Sequence, residues 1–244
     1  MTRVRLDQLL VQRKLAESRE KAQRLVLAGK VRVNEQPAAK PGHAYADDAR
    51  ITVDAPERFV SRGGDKLEAA FVHFDLVVEG ACCVDIGSST GGFTDCLLQH
   101  GARLVYAVDV GRGQLHQRLR SDPRVVVMDG VNARQLDRAA FPERPSVATV
   151  DASFISLKLL LPAVAGLLER PGHVVTLIKP QFEAGRADVG RGGVVRDPAV
   201  HQRVVDAVRA FGEERAGLRW KGICESPLRG PAGNLEFLAY WTTP

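Results

Sequence analysis

Three aspartates and one glycine-rich turn raise the first chemical question in this 244-residue sequence. The stretch "VDIGSSTGGFTD" runs from Val84 to Asp95, after an apolar run, and its turn comprises Gly87, Ser89, Gly91, Gly92 and Phe93. A turn of this kind after a strand belongs to nucleotide-binding folds. The dinucleotide fingerprint is G-x-G-x-x-G, whose second glycine lets the backbone approach a pyrophosphate. Here the order is Gly87-x-x-x-Gly91-Gly92, with serine at position 89. Asp85, ahead of the turn, would repel bound phosphates. A cofactor without phosphate fits better.

Asp109 follows 24 residues after Asp85, at the end of "YAVD". A carboxylate there can accept hydrogen bonds from both ribose hydroxyls of a bound nucleoside. Asp129 ends "VVMD", where it could reach an adenine edge. Three strands ending in aspartate at one side of a sheet make a favourable field for a cofactor carrying a sulfonium and an amino group. That cofactor is S-adenosylmethionine (SAM).

Four further residues could act on a second substrate. Asp151 ends the run "VATVD" and Lys179 ends "HVVTLIK", where Pro180 stops the strand. A lysine at the carboxyl end of a parallel strand points into the ligand crevice, although a lysine seen alone there could equally be a surface residue. Lys66 lies in "SRGGDKLEAA", ahead of the first of these strands. Glu236 lies in "GNLEF", with apolar neighbours, on what reads as the last strand.

The elements that must position these groups are legible as alternating runs. "ACCVDIG", "RLVYAVDVG", "RVVVMDG", "VATVDASF" and "HVVTLIKPQF" are near-continuous apolar segments. Between and after them lie helical stretches at 93–100, 113–120, 157–168 and 198–215. That alternation predicts a mostly parallel sheet covered on both faces. "LRWKGICESP" and "LEFLAYWTT" have no helix between them, so they predict an antiparallel hairpin at the sheet edge.

The first sixty residues are of another kind. Residues 1–40 hold ten Lys/Arg and four Asp/Glu, whereas the remaining 204 hold 24 and 25. The positive excess therefore sits in the first sixth of the chain, which suits a polyanion. Leu6, Leu9 and Leu10 recur at helical spacing, with Leu15 and Ala16 after them. Ser18 can cap a second helix with Ala22, Leu25 and Val26 inward, and Gly29 can end it. "KVRVNEQPA" then predicts a strand with a turn over 34–37, and a last strand follows at Ile51–Val53. Arg3, Arg5, Arg19, Lys21, Arg24, Lys30 and Arg32 form the cationic array, with Arg62 beyond it. Phosphates attract such an array without regard to sequence, so charge alone does not separate RNA from DNA.

Composition narrows the class. No apolar run approaches the ~20 residues of a membrane helix, and the N-terminus lacks the apolar core of a signal peptide. A cytoplasmic protein is expected. Cys82, Cys83, Cys96 and Cys224 have no Cys-x-x-Cys spacing, and the six histidines show no ligand pattern, so no metal is expected.

The segment from Arg5 to Gly42 resembles the S4 RNA-binding module, which implies docking on structured RNA. "DIGSSTGGF", "DASFISL", "IKPQFEAG" and "GNLEF" resemble the RNA ribose 2′-O-methyltransferases that include FtsJ. The two joined through "SRGGDKL" resemble the TlyA (hemolysin A) group of ribosomal RNA methyltransferases. The resemblance implies an S4-like α/β module with linker over 1–59. Over 60–244 it implies a class I, Rossmann-like SAM methyltransferase domain with a mostly parallel seven-stranded sheet. Thr90 stands where this superfamily often has proline, a difference expected to alter loop stiffness and not the chemistry. The substrate implied is ribosomal RNA or a ribosomal subunit, with cytidine the probable nucleoside of the group and no obligate protein partner.

By the same resemblance, Lys66, Asp151, Lys179 and Glu236 form the catalytic set. A ribose hydroxyl attacks a methyl group only as its proton leaves. A neutral lysine can take that proton, and burial or a second ammonium nearby favours the neutral form. Lys179 is the implied base, Lys66 its cationic neighbour, and the carboxylates hold both. The segment "EAGRADVGRGGVVR" suggests a mobile loop that orders on RNA through Arg186, Arg191 and Arg196. Alternatives are a non-catalytic RNA-binding protein, a membrane-active hemolysin, and an enzyme methylating a base nitrogen. The last more often carries an Asn/Asp-Pro-Pro-aromatic loop, which "DASFISL" is not.

Overall fold

A computed structural model describes residues 3–54 and 58–244. The chain divides into two compact units, Met1–Glu57 and Arg58–Pro244.

In the first unit β1 (Arg3–Arg5) leads into α1 (Leu6–Gln12), followed by α2 (Arg19–Leu27), β2 (Val31–Val33), β3 (Gln36–Pro37), β4 (Ala44–Ala46) and β5 (Ile51–Val53). Ser18 Oγ caps α2 by accepting from the Lys21 amide at 3.2 Å. Gly29, at φ +70°, lets the chain leave the helix. The turn is tighter than expected. Asn34 and Glu35 both take positive φ, the geometry of a two-residue hairpin, so Gln36–Pro37 is already the returning strand. Leu6, Leu10, Ala22, Val26, Val31 and Val33 form the core.

Asp7, fully buried on α1, joins the two helices. Its carboxylate accepts from Arg5 at 3.1 and 2.9 Å, from Arg19 at 3.1 Å and from Gln23 at 3.0 Å. The Arg5 guanidinium above all holds this carboxyl well below the usual carboxylate range. Arg5 and Arg19, two members of the cationic array, thus also brace the module.

The second unit opens with α3 (Gly63–Phe74). It continues β6 (Cys82–Ile86), α4 (Gly92–Gln99), β7 (Leu104–Asp109), α5 (Gln117–Arg120), β8 (Val125–Asp129) and β9 (Val147–Val150). Then come α6 (Leu161–Leu167), β10 (His173–Ile178), α7 (Pro180–Glu183), α8 (Pro198–Arg215), β11 (Arg219–Glu225) and β12 (Phe237–Thr242). The seven strands run in the order β11-β12-β10-β9-β6-β7-β8. β12 is antiparallel to both neighbours, and the other neighbouring pairs are parallel. The closing hairpin is therefore present, with β11 at the edge and β12 one strand inside it.

Alternate residues of the strands serve two cores. Cys82, Val84 and Ile86 pack with Leu161, Val164, Val204 and Val208, whereas Cys83 packs with Leu67, Phe71, Cys96 and Leu97 on the other face. The strand order reverses direction at β6, which lies between β7 and β9. That reversal opens a crevice beyond the carboxyl ends of β6 and β9.

Helix α3 escapes the sequence pattern because it begins with two glycines, yet Leu67, Ala70 and Phe71 give it a buried face. The helix expected over 157–168 is a 3-10 turn (Leu157–Leu159) followed by α6, whose Pro162 suits a first helical turn. The stretch expected over 113–120 is helical only from Gln117.

Candidate active site

Two cavities meet at the crevice. One, of about 290 Å³, is lined by Lys66, Asp151, Lys179 and Glu236 together with Ser61, Arg62, Gly92, Phe93, Ser153 and Arg229. All four residues of the expected catalytic set thus face one space, brought from α3, the end of β9, the end of β10 and the start of β12. The second cavity, about 530 Å³, carries apolar Ile86, Val108, Val110, Val131 and Ile155 beside Asp109 and Asn132. Gly87, Ser89, Asp151 and Ser153 line both.

The lysines are arranged as two ion pairs. Lys66 Nζ donates to Glu236 Oε2 at 2.6 Å, with Lys66 9% and Glu236 1% exposed. Glu236 is therefore turned inward, just ahead of β12. Lys179 Nζ lies 2.6 Å from Asp151 Oδ1 and donates to Ser153 Oγ at 2.9 Å. The Asp151 contact lacks hydrogen-bond geometry, so Oδ1 is a buried acceptor with no donor aligned to it. Each lysine thus has a carboxylate beside it, and Arg62 and Arg229 add positive charge to the cavity lining.

The glycine turn is shaped by close backbone approach. Gly87 has φ +82°, and a Cβ there would lie 2.7 Å from the Asp151 carbonyl oxygen. Asp109 Oδ2 accepts from the Ser89 amide at 2.8 Å and Oδ1 from the Gly111 amide at 2.7 Å. The end of β7 is thereby bonded to the turn after β6. An apolar slot with the Asp109 carboxylate at its edge and the Lys179-paired Asp151 at its junction suits a nucleoside such as SAM. Gly87, Ser89, Asp109 and Asn132 would hold it.

Five residues expected at the cofactor do not line the nucleoside slot. Asp85 is fully buried beneath the turn, where Thr94 Oγ1 donates to it at 2.7 Å and Thr149 Oγ1 at 2.9 Å. Asp129 lines neither cavity; it accepts from the Gly113 amide and pairs with Arg120, each at 3.0 Å. Gly91 packs against Leu119 and Leu115. Gly92 and Phe93 line the lysine cavity and not the nucleoside one. Asp85, Asp129 and Gly91 are each engaged by other groups of the protein, whereas Gly92 and Phe93 face the neighbouring cavity.

Burial pushes the Asp85 carboxyl up from 3.8 to about 6, against the opposing pull of the two threonine hydroxyls. The folded chain disfavours its charged form, so this contribution is fully present below the unfolded pKa and is lost as pH rises through about 6. At ~1.36 kcal/mol per unit it amounts to about 3 kcal/mol. Asp85→Asn should remove that dependence. Urea unfolding of both proteins at pH 4.5 and 7.5 should show the variant gaining on the wild type at the higher pH; a constant difference would exclude the effect.

Sequence reading missed Ser153, Phe154, Glu183, Arg229 and Asn234. Phe154 is 90% exposed at φ +62°, its ring 5.1 Å from that of Phe182. An aromatic among small residues just past a strand end was the available signal. Glu183 accepts from Ser156 Oγ and the Leu157 amide, both at 2.6 Å. Asn234, 2% exposed, accepts from the Val195 amide at 2.9 Å and donates to the Gly193 carbonyl at 2.8 Å. With a Gly190–Val194 bridge and an Arg203–Asp188 pair, it anchors the arginine-rich loop expected to be mobile.

The cationic residues are placed as follows. Lys21, Arg24 and Arg62 are exposed and Lys30 is partly so; Arg32 lies 3.7 Å from Asp54, and Arg3 donates to the Ala44 carbonyl at 2.8 Å. Arg62 sits at the rim of the lysine cavity. The fold also gathers a mixed set that spacing did not suggest. Glu68, Cys96 and His100 bring ligand-type atoms within 4.8 Å of one another. Glu68 already meets Arg58 and His100 at 2.7 Å each, and burial pushes the Cys96 thiol above the usual thiol range. This set ties Arg58 to α3 and α4. Among the described residues no helix is long and apolar enough to cross a membrane.

Comparison with known proteins covers nearly the whole chain. The FtsJ-like methyltransferase model matches residues 59–242 and the S4 domain model residues 4–51. The 16S/23S rRNA (cytidine-2′-O)-methyltransferase TlyA of Mycobacterium tuberculosis is 47% identical over 99% of this chain and 90% of its own. Hemolysin A of Brachyspira hyodysenteriae is 43% identical over 98% and 99%. A solved structure from Streptococcus thermophilus superposes with TM-score 0.77 at 46% identity, covering all of this chain and 89% of that one.

Proposed function

The chain belongs to the FtsJ-like methyltransferase family, in the group that holds the TlyA enzymes, and from that premise we propose how it methylates a ribose 2′-hydroxyl of ribosomal RNA. The observation that carries the reading is the convergence of Lys66, Asp151, Lys179 and Glu236 on one cavity. That cavity shares Gly87, Ser89, Asp151 and Ser153 with the nucleoside slot.

When bound, SAM supplies an electrophilic methyl group on a sulfonium. Lys179, in its neutral form, accepts the proton leaving O2′. Asp151 and Ser153 fix the position of its Nζ. Lys66 donates to the same hydroxyl oxygen and steadies the negative charge that grows there, while Glu236 keeps Lys66 from swinging away. Holding the oxygen in line with the methyl–sulfur bond contributes as much as proton removal. Arg62 and Arg229, exposed at the cavity rim, suit the phosphates on either side of the acceptor ribose. The bare ring of Phe154 suits the face of an unstacked base, the usual mode of single-strand RNA recognition.

Arg3, Arg5, Arg19, Lys21, Arg24, Lys30 and Arg32 would give the first unit its grip on the RNA backbone. The reading carries a cytoplasmic location, where ribosomal subunits are met, and needs no protein partner.

The test is transfer of labelled methyl from SAM to ribosomal RNA, then digestion to nucleosides. Label in 2′-O-methylcytidine is the expected result. Label on a base, or no label with any ribosomal RNA or subunit, would overturn it.

A further inference from the structure

The loop after β9 and the turn after β10 are joined at successive points. Asp151 meets Lys179 at 2.6 Å, Ser153 accepts from Lys179 at 2.9 Å, and the rings of Phe154 and Phe182 lie 5.1 Å apart. The last point is Glu183. One oxygen accepts from Ser156 Oγ and the other from the Leu157 amide, each at 2.6 Å.

The loop tip is in a conformation that needs holding. Phe154 takes φ +62°, a left-handed backbone that a residue with a side chain keeps only where its surroundings impose it. Its own ring, 90% exposed, supplies only the contact with Phe182. The restraint must come from the flanks. On the N-terminal side it is the Lys179 ion pair; on the C-terminal side it is Glu183, whose two oxygens both bond the loop. Burial pushes the Glu183 carboxyl up, against the pull of those two donors. A half-buried carboxylate that spends both oxygens on one loop is held to that loop by hydrogen bonds and not by packing.

We propose that Glu183 is a positioning residue for methyl transfer, holding the 153–157 loop so that Phe154 and Ser153 place the acceptor nucleotide against Lys179. The inference rests on the ribose-methylation reading above. Glu183 touches neither substrate nor cofactor; it acts through Phe154.

The experiment measures kcat and RNA KM with a ribosomal RNA that the wild type methylates, for Glu183→Ala, Phe154→Ala and the double variant. Glu183→Ala should lower kcat on the order of 30-fold, the scale of a misplacement near 1 Å. Combined with Phe154→Ala, it should cost no more than about threefold further, because neighbours acting through one group do not add. Glu183→Gln should recover to within about threefold of wild type, since its amide oxygen accepts from Leu157 and its NH₂ can donate to the Ser156 hydroxyl. Should Glu183→Ala fail to fold, Ser156→Ala removes one of the two Glu183 bonds, together with the hydroxyl that accepts from the Lys158 amide, and should lower kcat several-fold, again without effect in the Phe154→Ala background. Wild-type kcat in Glu183→Ala, or full additivity with Phe154→Ala, overturns the proposal. A wild type that labels no ribose overturns the underlying reading instead.

Discussion

Replacing Lys179 by arginine should stop methyl transfer almost as completely as replacing it by alanine. Arginine keeps a cation beside Asp151, but its guanidinium does not give up a proton at any working pH, so it cannot accept one from O2′. General-base catalysis contributes roughly 10²–10⁴-fold, and a loss on the order of 10³-fold is expected for both variants. SAM should still bind within a few-fold, because Lys179 lines the lysine cavity and not the nucleoside slot. Alanine alone would be ambiguous. It leaves the Asp151 carboxylate, 20% exposed at its side chain, without its cation, and breaking such a pair costs stability by itself. Single-turnover rates beside calorimetric SAM affinity decide the matter. An arginine variant that keeps a tenth of the wild-type rate would rule out proton acceptance by Lys179.

Gly87→Ala should have the largest effect on the cofactor. A side chain at φ +82° is strained whatever the space, at roughly 1–2 kcal/mol. Here there is also no space: the Cβ would stand 2.7 Å from the Asp151 oxygen, 3.0 Å from its carbonyl carbon and 3.2 Å from Ala152 Cα. All three are backbone atoms, so no side chain can turn aside. The end of β9 must move away from the end of β6, and both cavities widen at their junction. A fall in SAM affinity of about 100-fold, or ~2.7 kcal/mol, is expected, together with a lower melting temperature. Gly80→Ala separates strain from clash. Gly80 has a similar φ of +70° with nothing within 4 Å of the added carbon, so it should cost stability alone. Equal SAM affinity in wild type and Gly87→Ala would refute the close-approach argument.

The comparison of these two glycines shows where sequence reading stops. The glycine-rich turn singles out Gly87 and not Gly80, but nothing local shows that a Cβ would clash at one and not at the other. What separates them is the strand order, which lays β9 beside β6 across more than sixty residues of chain and so brings Asp151 onto Gly87. The aspartates make the same point. Asp85, Asp109 and Asp129 each end or nearly end a strand, and each read equally well as a ligand group. Only Asp109 lines the slot. Thr94, Thr149 and Arg120 had already claimed the other two, and no pattern of period two or 3.6 reveals such partners.

The sequence by itself determined the elements and their class. The seven apolar runs are the seven strands of the sheet, the span 198–215 is α8 to the residue, and Ser18 and Gly29 begin and end the exit from α2 as their side-chain chemistry requires. The family resemblance also named Lys66, Asp151, Lys179 and Glu236; Asp151 and Lys179 stand at the carboxyl ends of parallel strands, whereas Lys66 comes from α3 and Glu236 from just ahead of the antiparallel β12. The elements are local matters: backbone dihedrals, capping and burial periodicity act over a few residues. Only the tertiary structure decided which lysine meets which carboxylate, where the apolar slot lies relative to them, and that a half-buried glutamate four residues beyond Lys179 grips the Phe154 loop. Those outcomes depend on which distant group arrives first at each donor or acceptor, and that is settled by packing two faces of a sheet at once.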